Sequence, residues 1–383
     1  MKILVVIDDY FNQSNGLCIS TQRFVSEFQQ MGHEVRIVST NSKADYPVKE
    51  LIVPFFRKII AKESFHMARP QKKVLLKAIS WADLVLIETP FPLSWRAAAL
   101  AKRHGKPVAG TLHIFPGNIT EPLHLNYRFF NSFFMYFFKY VSYRNCQMIF
   151  CPSKKLRNLM EQYHFKQPLQ VISNGISEAF INNPHKEKIG NPFTIICIGR
   201  YSEEKHQATL FRALQHCKHA NELRVIFAGK GPLQQEYEKL AAKLSCATEL
   251  RFFTPEKLRQ TLTNCDLVVH CADVEVEGMA CMEAFAAGCV PVIADSKLSA
   301  TADYALGKDN LFPFDDDQAL AKKINYWYEH PAELKQMRSD YRNYAKTLTV
   351  KASAQKEIRC LKKSLKMFNR CLENRHKKFT IRG

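Results

Sequence analysis

The chain has 383 residues, 46% of them hydrophobic, which is enough for two domains that each bury a core. Lys and Arg outnumber Asp and Glu by 55 to 36, a formal net charge of +19, and that balance favours an anionic partner. There is no run of 18 consecutive apolar residues, so no transmembrane helix is predicted. The 12 cysteines form neither a C-x-x-C pair nor a ligand spacing with His, which points to reduced thiols in a cytosolic protein without a zinc site.

The N-terminal run Met1-Lys2-Ile3-Leu4-Val5-Val6-Ile7-Asp8-Asp9 is too short for a signal peptide and ends in acids. It reads as a buried parallel strand over 2–7. A turn with Gly16 follows, where glycine lets backbone approach a phosphate or a sugar. Further strands are predicted over 34–39, 84–88, 107–112, 148–151 and 169–172. A second set covers 194–198, 224–228, 249–252, 267–270 and 290–294. Strands alternating with helical patterns predict parallel sheets with crossover helices. Gly110-Thr111-Leu112-His113 ends one of these strands, which puts His113 where ligands bind in such sheets.

The polar segment 182–192, with Pro184 and Pro192, reads as a linker between two doubly wound domains. The predicted division is 1–181, 182–340 and a C-terminal helix and tail over 341–383. From Lys351 onward there are 11 Lys/Arg and 2 Glu, and Ile358, Leu361, Leu365, Phe368 and Leu372 recur at helical spacing. That stripe predicts a helix packing back on the N-terminal domain, with an interfacial helix on anionic lipid as the alternative. Residues 57–77 carry seven Lys/Arg and one Glu and read as a membrane-facing stretch. The aromatic run over 127–138 is apolar nearly all round, so core packing is expected for most of it.

The segment with most chemical content is Glu275-Val276-Glu277-Gly278-Met279-Ala280-Cys281-Met282-Glu283. It reads as a loop carrying Glu275 and then a helix N-terminus, with Glu283 about one turn inside. Backbone N–H groups from Gly278 to about Cys281, those of Met279 and Ala280 among them, would face an anion there. Gly199-Arg200 with Lys205 follows the first strand of the second domain, and two cations in that loop suit a diphosphate. Gly229-Lys230-Gly231-Pro232 is a strand, a glycine turn and a helix start, whose backbone would line a nucleobase pocket. Asp315-Asp316-Asp317 reads as a helix N-cap and first turn, not as a metal site.

Together these segments, with Ser173-Asn174-Gly175-Ile176, resemble the retaining glycosyltransferases of family 4 along nearly the whole chain. The resemblance implies an α/β architecture of the GT-B type: two Rossmann-like doubly wound domains facing across a cleft, with a C-terminal helix returning to the first. It implies that the second domain holds a nucleotide sugar, with UDP-glucose or UDP-galactose the expected donor. Glu275 would meet sugar hydroxyls and Glu283 the ribose. Arg200 and Lys205 would neutralise the diphosphate, and His113 would contact the sugar beside the reacting carbon. No metal and no cofactor are implied. The family pattern after the first glutamate is Gly-Phe-Gly. Here Val276-Glu277-Gly278 replaces it, so the extra carboxylate must point away or be paired.

Within the family, the segments 113–120 and 296–301 look similar to bacterial enzymes that glycosylate diacylglycerol or ceramide. This implies a lipid acceptor and a peripheral place on the inner face of the cell membrane. A polyprenyl-linked saccharide acceptor in capsule, lipopolysaccharide or cell-wall synthesis stays open, as does a nucleotide-sugar epimerase without acceptor. No nucleic-acid partner is expected, because the basic residues are scattered and no recognition motif occurs.

Overall fold

The computed structural model of the chain describes residues 1–13, 15–52, 65–117, 128–183 and 192–380. Of the basic stretch 57–77, residues 57–64 lie outside the described residues. Two compact units result, Met1–Asn174 with Val350–Gly383, and Gly175–Thr349.

The first unit is built on seven parallel strands. They are β1 (Lys2–Val6), β2 (Glu34–Ser39), β3 (Tyr46–Pro47), β4 (Leu84–Ile87), β5 (Val108–Thr111), β6 (Met148–Cys151) and β7 (Leu169–Val171), in the order β3-β2-β1-β4-β5-β6-β7. The winding reverses between β1 and β4, which pair from Ile3↔Leu84 to Val6↔Ile87. The central strands β1 and β4, and β6, are apolar without alternation because helices cover both faces of the sheet. Ile3, Val5 and Ile7 pack with Phe24, Val25 and Phe28 of the helix Gly16–Gln30.

The helix Val350–Thr380 belongs to this unit, with Val350, Ala354, Ile358 and Leu361 buried in the same cluster. The predicted apolar stripe therefore faces the N-terminal unit through its first half. Leu365 and Phe368 are half-buried.

The second unit has β8 (Phe193–Ile198), β9 (Leu223–Ala228), β10 (Ala247–Arg251), β11 (Leu267–His270), β12 (Val274–Glu275), β13 (Val290–Asp295), β14 (Leu298–Ser299) and β15 (Leu311–Pro313). Its main sheet runs β10-β9-β8-β11-β13-β15, all parallel, and β12 pairs with β14 apart from it. Along β8, Ile195 and Cys197 enter one helical layer and Ile196 the other, the period of two expected of a strand buried on both faces. The described cysteines are free thiols, all buried except the half-buried Cys360.

The unit boundaries fall at 174/175 and 349/350, away from the polar segment at 182–192. Residues 175–181 and 341–349 join the second unit for a packing reason. The N–H of Ile176 donates to the carbonyl of Leu348 at 2.7 Å, and Ile176 and Phe180 share a buried cluster with Tyr341 and Ala345. Polarity marked the segment 182–192, but these contacts set the division.

Candidate functional site

In open parallel sheets, ligands bind beyond the carboxyl ends of the strands where the winding reverses. In the second unit that place is the end of β8 and β11. The loop Gly199–Tyr201 leaves β8 and lies directly on the glycine turn that leaves β9. A Cβ on Gly229 would stand 1.9 Å from the Gly199 carbonyl oxygen, and one on Gly231 would stand 2.4 Å from that of Tyr201. These glycines are therefore required by loop-on-loop packing, a reason the sequence reading did not give. The contact is tied by Tyr201 N–H to Lys230 O (3.2 Å) and Leu233 N–H to Tyr201 O (3.1 Å). The buried Gln207 completes it, donating to the Arg200 carbonyl (2.7 Å) and accepting from the Tyr237 hydroxyl (3.0 Å).

Lys205 ends a single 3-10 turn, Glu203–Lys205, and the α-helix starts only at Ala208. The turn is anchored by Asp273 N–H donating to Glu204 O at 3.0 Å, which brings the loop after β8 against the segment after β11. As a result, the Lys205 ammonium donates to Glu275 Oε2. Burial alone would push the Lys205 ammonium down, but the adjacent Glu275 carboxylate outweighs it and holds it above its ordinary value. Burial likewise works against the Glu275 carboxylate, while Lys205, His270 and the Gly278 backbone hold it below its usual range. Both groups are therefore charged at neutral pH.

Glu275 is not in a loop. It lies in β12, held by β14 through the register Glu275↔Ser299. The partner strand is more than twenty residues away, so no local pattern signals the pairing. Ser296 reinforces it, donating to the Asp273 carbonyl at 2.7 Å. His270, at the end of β11, was missed by the sequence reading. Its Nε2 lies 3.8 Å from Glu275 Oε2 and 3.2 Å from the Thr301 hydroxyl. Burial pushes this imidazole down to about 4 despite the carboxylate nearby, so it is neutral at physiological pH.

The helix Met279–Ala286 starts at Gly278, whose φ of 80° is left-handed, and no side chain caps it. A Cβ on Gly278 would stand 2.2 Å from the Thr301 hydroxyl. Only glycine fits both the conformation and the space. Helical bonding within the helix begins with Met282 N–H to Gly278 O. The N–H groups of Met279, Ala280 and Cys281 thus lie in the uncapped first turn, where the helix dipole favours an anion. Glu283 is half-buried one turn further on. Glu277, the departure from the family pattern, is buried and accepts from the Tyr304 hydroxyl at 2.8 Å. Tyr304 packs with Phe285 and Tyr344, so the extra carboxylate is held by a phenol in the core.

Asp316 caps the helix Asp317–Glu329, as its sequence suggested, accepting from Ala319 N–H at 2.8 Å. Asp315 binds the Arg212 guanidinium and the Thr209 hydroxyl.

Two predicted residues lie in the first unit. Gly16 is the first residue of its helix, beside the cap Asn15. A Cβ there would meet nothing within 4 Å, so the surrounding space is open. His113 follows β5, and its Nε2 pairs with Glu88 Oε2 at 3.0 Å, both side chains buried. Beside them at the winding reversal, Asp8 accepts from Ala68 N–H (2.8 Å) and the Thr89 hydroxyl (2.5 Å). Burial raises the Asp8 carboxyl to about 6.

The aromatic run corrects an expectation. The helix Arg128–Phe137 continues as a π-helical turn through Phe138–Ser142. Met135 and Phe138 are buried, but Phe129, Phe133, Tyr136 and Tyr140 are exposed. Apolar composition alone could not tell a core helix from one with a single buried face.

The family description "Glycosyltransferase Family 4" matches residues 14–180, and "Glycosyl transferases group 1" matches residues 180–348. The chain is 25% identical over 330 residues to the alpha-monoglucosyldiacylglycerol synthase of Streptococcus pneumoniae, covering 77% of this chain and 71% of that protein. The enzyme of the same name from Acholeplasma laidlawii is 22% identical over 402 residues, covering 97% and 100%. Among solved structures, Anabaena Alr3699/HepE in complex with UDP-glucose superposes with a TM-score of 0.72 at 17% identity, covering 95% of this chain and all of that one. That likeness shows the GT-B fold.

Proposed function

Because the chain belongs to the group 1, family 4 glycosyltransferases, we propose that it moves a hexose from a UDP-sugar to a membrane lipid of the diacylglycerol class, with retention of configuration and without a metal. The observation that carries the donor side is the meeting of Lys205 and Glu275 beside the uncapped helix Met279–Ala286. The leaving group is a diphosphate, and its developing charge needs preorganised donors. An ammonium has three N–H groups and Glu275 takes one, so Lys205 is fixed in place and still able to bind phosphate oxygen. Arg200, the uncapped N–H groups and the helix dipole add to it. Glu275 and Glu283 are assigned to sugar and ribose hydroxyls, which suit carboxylate acceptors.

The lipid acceptor is supported by the two alpha-monoglucosyldiacylglycerol synthases that match most of the chain. For retention, the C1–oxygen bond to the diphosphate breaks and the acceptor oxygen bonds to C1 on the same face. The acceptor proton passes to the leaving phosphate oxygen. His113, oriented by Glu88, is assigned to the sugar beside C1.

The test is a transfer assay with membrane lipid extract and a panel of radiolabelled UDP-sugars. Label from one donor entering the organic phase in an alkali-labile diacylglycerol product supports the reading. Label appearing only in a polyprenyl-linked or soluble saccharide, or interconversion of the donor without transfer, overturns the acceptor assignment. A covalent glycosyl-enzyme in the mass spectrum overturns same-face attack.

A further inference from the structure

We infer that the exposed face of the helix Arg128–Ser142, with the cationic depression at its end, is the surface by which the first unit docks on an anionic phospholipid bilayer. This rests on the lipid-acceptor reading and names the surface it requires.

Phe129, Phe133, Tyr136 and Tyr140 are 75%, 56%, 45% and 58% exposed. Their spacing of four, three and four puts them on one face of the helix. Single exposed apolar residues are ordinary on a protein surface, but four aromatic rings in a row are not. The opposite face is firmly held. Met135 and Phe138 are buried, Phe137 packs edge-on against Trp95, and the Ser142 hydroxyl donates to the Pro90 carbonyl at 3.0 Å. The stripe is thus presented on a fixed element, and ordering it costs nothing at the moment of docking.

The charge beside the stripe selects the occupant. Lys139 lies over the rings of Tyr136 and Tyr140, at 5.8 and 4.9 Å from their centroids, and donates to the Tyr163 carbonyl. At the C-terminal end a depression of about 400 Å³ is lined by Pro70, Trp95, Arg96, Tyr140 and Arg144, among others. Arg96 and Arg144 are exposed, and neither has a carboxylate partner among the described residues. Exposed Lys72 and Lys73 follow Pro70 in the chain. Aromatic rings flanked by cations fit the interface of a bilayer, rings at headgroup level and guanidinium forks on phosphate. A second copy of this chain would have to bring the same positive charge against itself. The position also suits an acceptor drawn from lipid. Pro90, on which the helix end rests, follows Glu88 by two residues, and Glu88 pairs with His113.

The experiment is sedimentation of the full chain with phosphatidylcholine vesicles, with and without phosphatidylglycerol. It is run beside glycosyl transfer to diacylglycerol presented either in those vesicles or dispersed in detergent. The variant Phe129→Ser/Phe133→Ser/Tyr140→Ser is expected to lower vesicle partitioning on the order of tenfold or more. It should lose transfer on vesicles and keep it in detergent, with an unchanged melting temperature because the three rings are exposed. Arg96→Gln and Arg144→Gln should each lower binding to phosphatidylglycerol vesicles roughly fivefold and leave the weak binding to phosphatidylcholine as it is.

Variants that sediment like the parent chain overturn the surface assignment, whatever the transfer assay gives. So does a dimer in sedimentation velocity that the triple variant dissolves. Loss of vesicle binding in the variants, with no lipid product from the parent chain in either format, supports the surface and overturns the lipid acceptor.

Discussion

The two units place opposite chemistries at the same topological position. Where β1 and β4 diverge in the first, the buried groups are acids. Asp8 is satisfied by a hydroxyl and a backbone N–H, and Glu88 by His113. Where β8 and β11 diverge in the second, Lys205 is locked to Glu275 beside a left-handed Gly278 and an uncapped helix. The same sheet architecture therefore presents donors for an anion in one unit and hydrogen-bond acceptors in the other. An anionic nucleotide sugar suits the second, and a neutral hydroxyl suits the first. Fold alone does not assign these roles, because the side chains at the strand ends do.

The largest expected effect breaks the second site. Lys205→Ala should lower turnover by about 10²–10³, the usual cost of removing one preorganised charge donor. The melting temperature should move far less than turnover. Because the two side chains act as a pair, Lys205→Ala/Glu275→Gln should lose less than the sum of the single losses in free energy. Near-normal turnover of Lys205→Ala would remove the assignment.

A second contrast concerns glycines. Gly231→Ala puts a methyl group against the Tyr201 backbone, which is not a flexible side-chain end. It should destabilise the second unit by about 2–3 kcal/mol. Gly16→Ala in the first unit meets only open space at a helix start. It should change stability by less than about 0.5 kcal/mol, or raise it slightly. Calorimetric melting of both variants checks the pair, and equal losses would break the contrast.

The smallest net effect is in pH. Asp8 has its carboxyl raised to about 6, so between about 6 and 3.8 the folded state holds the extra proton and the first unit gains stability as pH falls. His270 is pushed down to about 4, so between 6.5 and about 4 the unfolded state holds the extra proton and the second unit loses stability as pH falls. Each contribution over its full window is roughly 3 kcal/mol, and the two oppose. Hydrogen exchange followed by mass spectrometry from pH 6.5 to 4.5 should show the sheet of the first unit gaining protection relative to that of the second. Asp8→Asn should remove the gain and His270→Gln the loss. A uniform change across both sheets would contradict the assignment.

The sequence by itself determined the sheet strands that are buried on both faces, since a continuous apolar run between turn signals needs no distant partner to be read. Strands β2, β6 and β11 have the limits their sequences predict, and most others are within one or two residues. It also pointed to Arg200, Lys205, Gly278 and the two glutamates, because charge and glycine at strand-to-helix junctions carry their own chemistry. The two-residue strands β3, β12 and β14 were not legible, nor was β15, because each is defined by its partner more than by its own pattern. His270 looked like the end of an ordinary apolar strand until Thr301 and Glu275 were brought to it. Gly229 and Gly231 were visible, but their reason, the Gly199–Tyr201 backbone lying on them, was not. Only the tertiary structure decided which face of the aromatic helix is buried. That choice depends on which surface Trp95 and Pro90 offer it, and periodicity cannot select a face when every face is apolar.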